Sequence, residues 1–306
     1  MSDDAAPILC LGEAIVDLVC ERALDSPTDA DSFRPHFGGA LANVAVAARR
    51  AGAPAALAGG VGDDPWGGWL AERLEAEGVR LSWFSHVPGL QTPLAFVTFD
   101  RRREPTFQIY GDGIEAGLHS VADRLAAAVE SSSALVFGSN TLVNEPERRL
   151  TLEARRLARE RGLPVLFDPN IRSNRWLDVD RAFDLCRGVI DDAFVVKANL
   201  DEARRIGGVG GTASATEAAD ALCARGARVA VVTIGAEGAV AGGEVEAQAP
   251  APAVDVVSPL GAGDAFFGAL AAGIQQRGWT GDAVAEALPE AAAAGAAACA
   301  GWGALG

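Results

Sequence analysis

The sequence predicts a three-layer α/β sandwich with a central, mostly parallel sheet and a small β-sheet lid. Three observations point to it. From about residue 120 to 235, short β-branched runs alternate with helical segments. Those runs are apolar throughout, as strands buried on both faces must be. Near 94–110 two strand-like segments flank a charged turn, a hairpin pattern that interrupts the α/β rhythm. With 49% of its 306 residues hydrophobic, the chain can bury a large core.

Taken in order, residues 8–11 form a first strand closed by Gly12, and 13–19 alternate partly like a second. Residues 24–36 hold Pro, Asp and Ser and read as a loop. Gly38-Gly39 opens a helix over about 40–51, followed by a short strand at 55–59. Asp63-Asp64-Pro65 starts a helix that runs to about 77, since acids and an early proline favour a helix N-terminus. Residues 94–99 and 106–110 are the hairpin strands around 100–104. Then helix 120–130 precedes strand 134–138, helix 145–161 precedes strand 164–168, and helix 178–188 precedes strand 193–196. Helices near 200–206 and 214–225 precede strand 228–234, and a small strand pair follows around 238–248. Two helices, about 263–277 and 281–300, end the chain. There is no repeat or low-complexity linker, so 1–306 reads as a single domain, with a lid built from about 13–36 and 90–112. A flap of discontinuous β segments suits a cover over a site at the sheet's C-terminal edge.

Composition removes several functions. A net charge of −15 opposes nucleic-acid binding, although a local pocket can still hold a small anion. Lys197 is the single lysine among 26 basic residues, a skew that coding bias and salt adaptation both explain. It sits in Val-Val-Lys-Ala-Asn, without the Gly-Lys-Ser/Thr context of a Walker A loop, which excludes a P-loop NTPase and the protein-kinase signatures. A dinucleotide-binding Gly-x-Gly-x-x-Gly is missing after the first strand. Five cysteines without a CxxC pair, set among apolar neighbours, suggest free thiols in a reducing compartment. His36, His86 and His119 lack metal-ligand spacing. Residues 1–7 are acidic rather than a basic leader, and the Ala-rich 291–306 is short and Gly-interrupted, so a cytoplasmic protein without a membrane span is expected.

Six segments carry candidate chemistry. Gly261-Ala262-Gly263-Asp264 precedes a long apolar helix; the glycines let backbone N–H groups converge, the helix dipole adds positive charge, and Asp264 can take a proton from a hydroxyl. Gly38-Gly39 with Asn43 one turn later allows close approach of a hydroxylated ligand. Asp17 follows the first strand and could chelate vicinal hydroxyls. Asp168-Pro169-Asn170-Ile171-Arg172 ends a buried strand, where Arg172 could meet a phosphate or a carboxylate. Asn199 and Glu202 share a helix face and offer oxygen ligands to Mg²⁺. Thr233-Ile234-Gly235-Ala236-Glu237-Gly238 could admit a base or ribose beside the backbone. Taken singly, each is equally a turn, a strand end or a helix cap.

The order of these motifs, over nearly the whole chain, resembles the PfkB (ribokinase-like) carbohydrate kinases. The resemblance implies a ribokinase-like sheet with a β lid over a sugar, ATP in a groove beside it, and Mg²⁺. It implies Asp264 as base, 261–263 as anion hole, and Asp17, Gly38, Gly39 and Asn43 as sugar ligands. Asn170 and Arg172 would add substrate contacts. Asn199 and Glu202 match the metal and phosphate motif, and Lys197, Asn199, Thr233, Gly235 and Gly238 fall to the nucleotide. The stretch 92–97 and Tyr110-Gly111-Asp112-Gly113 look most like bacterial fructokinases, which adds Phe96 and Tyr110 to the sugar contacts and makes fructose the expected substrate. Asp168 to Arg172 followed by Trp176 is similar to 2-keto-3-deoxygluconate kinases as well, but those usually carry Arg where this chain has Gly111. Another sugar or nucleoside kinase, or a non-catalytic sugar-binding regulator, stays open at this level. The family often has Asp-Thr-Thr before the glycines and uses that Asp to hold a monovalent cation; here the triplet is Ser258-Pro259-Leu260, so weak or absent potassium activation is expected. A homodimer formed through the lid is the remaining family-level expectation.

Overall fold

In the computed structural model, residues 5–111 and 113–305 are described. Asp112 of the Tyr110-to-Gly113 motif and residues 1–4 of the acidic start lie outside them.

The elements, in chain order, are β1 (Ile8–Leu11), β2 (Ile15–Ala23), β3 (Arg34–Gly38), α1 (Ala40–Arg50), β4 (Ala55–Gly62), α2 (Pro65–Ala76), β5 (Arg80–Val87), β6 (Leu94–Phe99) and β7 (Pro105–Tyr110). There follow α3 (Gly113–His119), α4 (Leu125–Glu130), β8 (Ala134–Gly138), α5 (Glu145–Glu160), β9 (Val165–Asp168), α6 (Val179–Arg187), β10 (Val195–Asn199), α7 (Leu200–Gly207) and α8 (Ala215–Cys223). The chain closes with β11 (Val229–Thr233), β12 (Ala239–Gly243), β13 (Ala247–Ala249), α9 (Ala262–Arg277) and α10 (Gly281–Ala298).

The large sheet has nine strands in the order β13-β12-β11-β10-β9-β8-β1-β4-β5, and its pairs from β11 across to β5 are parallel. Alternation along each strand feeds two cores. Ile8 and Cys10 pack on α1, α2, α9 and α10, whereas Leu9 and Leu11 pack on the helices α3 to α8. The result is helix, sheet, helix, the three layers expected.

After β1 the chain builds outward through β4 and β5, then returns to lay β8 on the other side of β1. The strand order therefore reverses between β1 and β8. Loops leaving the C-terminal ends of those two strands diverge, which opens a crevice there.

The small sheet has four strands in the order β3-β2-β6-β7. Its outer pairs are antiparallel and β2 runs parallel to β6. One face, with Ile15, Val19, Ala95, Val97 and Phe99, packs on Leu260 and Ala304. The small sheet is thus seated on the loop that begins α9.

Two sequence expectations need correction, and one strand was not anticipated. Residues 34–38 are a strand rather than loop; Pro35 and the exposed Arg34 are tolerated because β3 is an edge. Residues 80–87 form β5, the edge of the large sheet, whose half-exposed positions blur its pattern. The helix placed at 120–130 is shorter: a 3₁₀ turn at Ala122–Arg124 leads into α4, and α3 stands before the expected range. Among the described residues, no helix is long and apolar enough to cross a membrane.

Candidate active site

Asp264 stands in the first turn of α9, buried. The helix begins at Gly261, whose φ of 76° and closeness to the Ala304 carbonyl, 2.1 Å from where a Cβ would stand, admit only glycine. The amides of Gly263 and Asp264 have no carbonyl one turn behind them within the helix. They carry the positive end of the helix dipole at the turn that holds Asp264.

Two asparagines hold that carboxylate. Asn43 donates from Nδ2 to Oδ2 at 2.9 Å, and Asn170 donates from Nδ2 to Oδ1 at 3.1 Å. Asn170 reaches it from a backbone at φ 36°, a left-handed region that Asn tolerates better than most residues. Both asparagines thus spend their amides on Asp264. Burial pushes the Asp264 carboxyl up to about 6, against the opposing pull of Arg172 and the Asn43 hydrogen bond.

Asp17 lies on β2, facing the same space. Burial, with the Asp264 and Glu13 charges, raises it to about 7 despite Arg172. Gly38 is glycine because the Asp17 carboxylate occupies its side-chain position, with Oδ2 2.2 Å from a Cβ built there. Gly39 packs against the Glu13 carbonyl in the same way. The paired glycines therefore seat two acidic residues as well as opening α1.

Glu13 and Asn140 are site residues that motif reading missed. Glu13 is buried after β1 and accepts from Asn140 Nδ2 at 2.8 Å and from the Ala40 amide at 3.1 Å. An acid after a strand looks like any turn residue, and no spacing ties it to Asn140.

A small pocket of about 40 Å³ opens among Glu13, Asp17, Asn43, Asn140, Arg172 and Asp264, walled by Phe107 and Ile109 of β7. The Arg172 guanidinium lies 5.0 Å from the centre of the Phe107 ring. Phe96 and Tyr110 do not line this pocket. They point to the opposite face of the small sheet, in a cleft with Phe33, because side chains alternate along a strand.

At the start of α9 lies a larger cleft of about 550 Å³. Thr233, Gly235 and Gly238 line it with Val254, Val256, Phe266 and Gly263. Its apolar walls suit a flat base.

Lys197 projects from β10 to this junction, its Nζ 2.9 Å from where a Gly263 Cβ would stand. It is paired with Asp168 at 2.8 Å, both buried. Burial alone would depress the ammonium, but the Asp168 and Glu202 charges outweigh it and raise the lysine above its ordinary value. Asn199 and Glu202 form a reciprocal cap at the start of α7. Glu202 also accepts from the Ile171 amide at 2.8 Å, which pins the Asp168-to-Arg172 segment.

The apolar cleft and the pocket lined by carboxylates and amides flank the first turn of α9, where Gly263 borders the one and Asp264 the other. That arrangement fits an enzyme that moves a phosphoryl group onto a hydroxyl. Comparison with known proteins gives the class its family: the profile described as "pfkB family carbohydrate kinase" matches residues 5–305, and the chain belongs to that family. It is 31% identical over 264 residues to fructokinase-1 of Oryza sativa subsp. japonica, across 86% of this chain and 81% of the relative. The fructokinase double mutant of Vibrio cholerae O395, solved in a fructose, ADP and potassium ion bound form, superposes with a TM-score of 0.83 at 28% identity, over 100% of this chain and 96% of that one. Aminoimidazole riboside kinase of Salmonella enterica, complexed with aminoimidazole riboside and an ATP analogue, has a TM-score of 0.79 at 29% identity, over 98% and 95% of the two chains. The chain is a sugar kinase that uses ATP.

The residues present differ in their fit to two ions. Among the described residues there is no group of three or more His, Cys, Asp or Glu side chains that could hold a metal. A hydrated Mg²⁺ carried on nucleotide phosphates fits better, because Asp168 Oδ1 is buried without a protein donor beside Lys197. Ser258 offers less to a monovalent cation than an aspartate would. Ser258 is buried, its hydroxyl oxygen accepts from the Leu260 amide at 3.1 Å, and it brings no charge.

Two predictions follow from this geometry. Lys197→Met strands the buried Asp168 carboxylate and is expected to lower the unfolding free energy by about 3–5 kcal/mol in denaturant titrations; a loss under about 1 kcal/mol would equate the pair with a surface one. Exchanging potassium for a bulky organic cation at constant ionic strength is expected to leave the rate of phosphoryl transfer unchanged, and strong activation by potassium would overturn the reading of Ser258.

Proposed function

We propose that this chain phosphorylates a hydroxyl of a neutral ketose, fructose first among them, with Asp264 as the catalytic base. The observation that carries this reading is the place of Asp264 in the first turn of α9, where it borders the small polar pocket while its neighbour Gly263 borders the large apolar cleft. Fructokinases recur among the relatives, and Gly111 stands where kinases of a sugar acid usually carry arginine.

Asp17 and the asparagine carbonyls orient the sugar, and Asp264 accepts the proton of the attacking hydroxyl. The sugar oxygen bonds to the γ-phosphorus as the bond to the β,γ-bridging oxygen breaks, and ADP leaves. The 261–263 amides, the α9 dipole and the Lys197 ammonium hold charge on the transferring phosphoryl oxygens. Mg²⁺, held through water by Asp168 and Glu202, would neutralise the β- and γ-phosphates. A sugar acid is the second reading, because Arg172 borders the pocket.

The five free thiols, three of them buried, suit a reducing cytoplasm. The face of the small sheet that carries Phe33, Phe96 and the 57% exposed Tyr110 is apolar enough to pair with a second copy.

Asp264→Asn is expected to lower kcat by about 10²- to 10⁴-fold while fructose still binds; equal rates would refute the base. For the native protein, kcat/KM is expected to fall as pH drops through about 7 and then about 6, as Asp17 and then Asp264 take up protons. The sign follows because both groups act ionised and burial raises both. A rate independent of pH from 8 to 5 would contradict it. Phe96→Glu is expected to shift the mass measured by light scattering from dimer to monomer; a native monomer would sink the dimer proposal.

A further inference from the structure

Glu13 and Asn140 have no part in the transfer described above, yet both are buried in the sugar pocket. Glu13 follows β1 and Asn140 follows β8, so their 2.8 Å bond spans the point where the strand order reverses. Glu13 Oε1 is taken up by Asn140 Nδ2 and the Ala40 amide. Those two bonds fix the carboxylate plane, and Oε2 is left buried without a donor among the described residues.

Asp17 Oδ1, Asn43 Oδ1 and Asn140 Oδ1 share that condition. Each asparagine, a residue of the pocket lining, has given its amide to a carboxylate, which leaves its carbonyl oxygen buried without a donor among the described residues. Buried acceptors without donors are costly. Four in one cavity suit a ligand that brings several O–H donors. A polyol does this; a carboxylate group adds acceptors instead.

We propose that Glu13 is a specificity-determining residue: its Oε2 accepts a hydrogen bond from a sugar hydroxyl other than the one phosphorylated, with Asn140 as the positioning residue that aims it. The pocket thereby selects neutral polyhydroxy sugars over sugar acids and over sugars lacking that hydroxyl. The inference rests on the sugar-kinase reading and names what its pocket reads.

The test assays the native protein, Glu13→Gln and Asn140→Ala with ATP and three kinds of acceptor: D-fructose, fructose analogues each lacking one hydroxyl, and 2-keto-3-deoxygluconate. The Gln side chain can keep its carbonyl toward Ala40 and Asn140, which places an NH₂ where Oε2 stood. For the native protein, one deoxy analogue is expected to lose about tenfold or more in kcat/KM against fructose; in Glu13→Gln that ratio should shrink to within about threefold. Asn140→Ala should weaken the same ratio through KM rather than kcat. A Glu13→Gln variant that slows on every acceptor by one factor, or on none, overturns the proposal. So does a native preference for 2-keto-3-deoxygluconate, which would leave the kinase reading standing. If no sugar is phosphorylated, the kinase reading falls, and calorimetric titration of fructose and the same analogues decides Glu13. A deoxy penalty lost in Glu13→Gln supports it; no penalty, or no fructose binding, overturns it.

Discussion

A carboxylate buried in the first turn of α9 constrains everything around it. Burial disfavours the charged form of Asp264, and the fold offsets this from three directions: the helix dipole behind it, the Asn43 amide from α1 and the Asn170 amide beyond β9. None of these arrives by chance. Asn43 is one turn into a helix whose start is fixed by Gly39, and Asn170 holds a left-handed backbone that Pro169 and Glu202 help to set. Displacing α1 or the β9 loop would leave the carboxylate uncompensated. The geometry of that carboxylate is therefore built into the packing of three separate elements.

The large sheet explains why those elements meet. Because the strand order reverses between β1 and β8, the loops after β1, β8, β9 and β10 end along one crevice. Glu13, Asn140, Asp168 and Asn199 all lie just beyond, or at, those strand ends. Lys197 extends the line inward, and its pair with Asp168 lets two unlike charges share a buried position that neither could hold alone. The small sheet closes the other side by resting Ile15, Val19 and Phe99 on Leu260 and Ala304, next to the loop that begins α9.

Much of this was legible in the sequence, and the failures have physical causes. Strands buried on both faces announce themselves as apolar runs, so β8, β9 and β11 fell close to their expected places. Edge strands do not, since half their residues face water, which hid β3 and β5. Motifs that work through the backbone, such as 261–264 or Asn199 with Glu202, show because glycine and capping residues have fixed local meanings. Glu13 and Asn140 work through a contact 127 residues apart in the chain, and no local pattern records it. The assignment of Phe96 and Tyr110 to the sugar failed by one step of register. Alternation reveals two faces but not which one looks inward, and here Phe107 and Ile109 do.

The wall of the pocket belongs to a larger piece of packing. Phe107 and Ile109, which border the pocket, also pack with Val19, Val97 and Phe99 against Leu260 and Ala304. Ile15 and Leu260 belong both to that cluster and to the lining of the pocket. The apolar contacts that seat the small sheet therefore also set the shape of the pocket. A change of side-chain volume at Leu260 or Ala304 would reach the pocket wall without touching any of its polar groups.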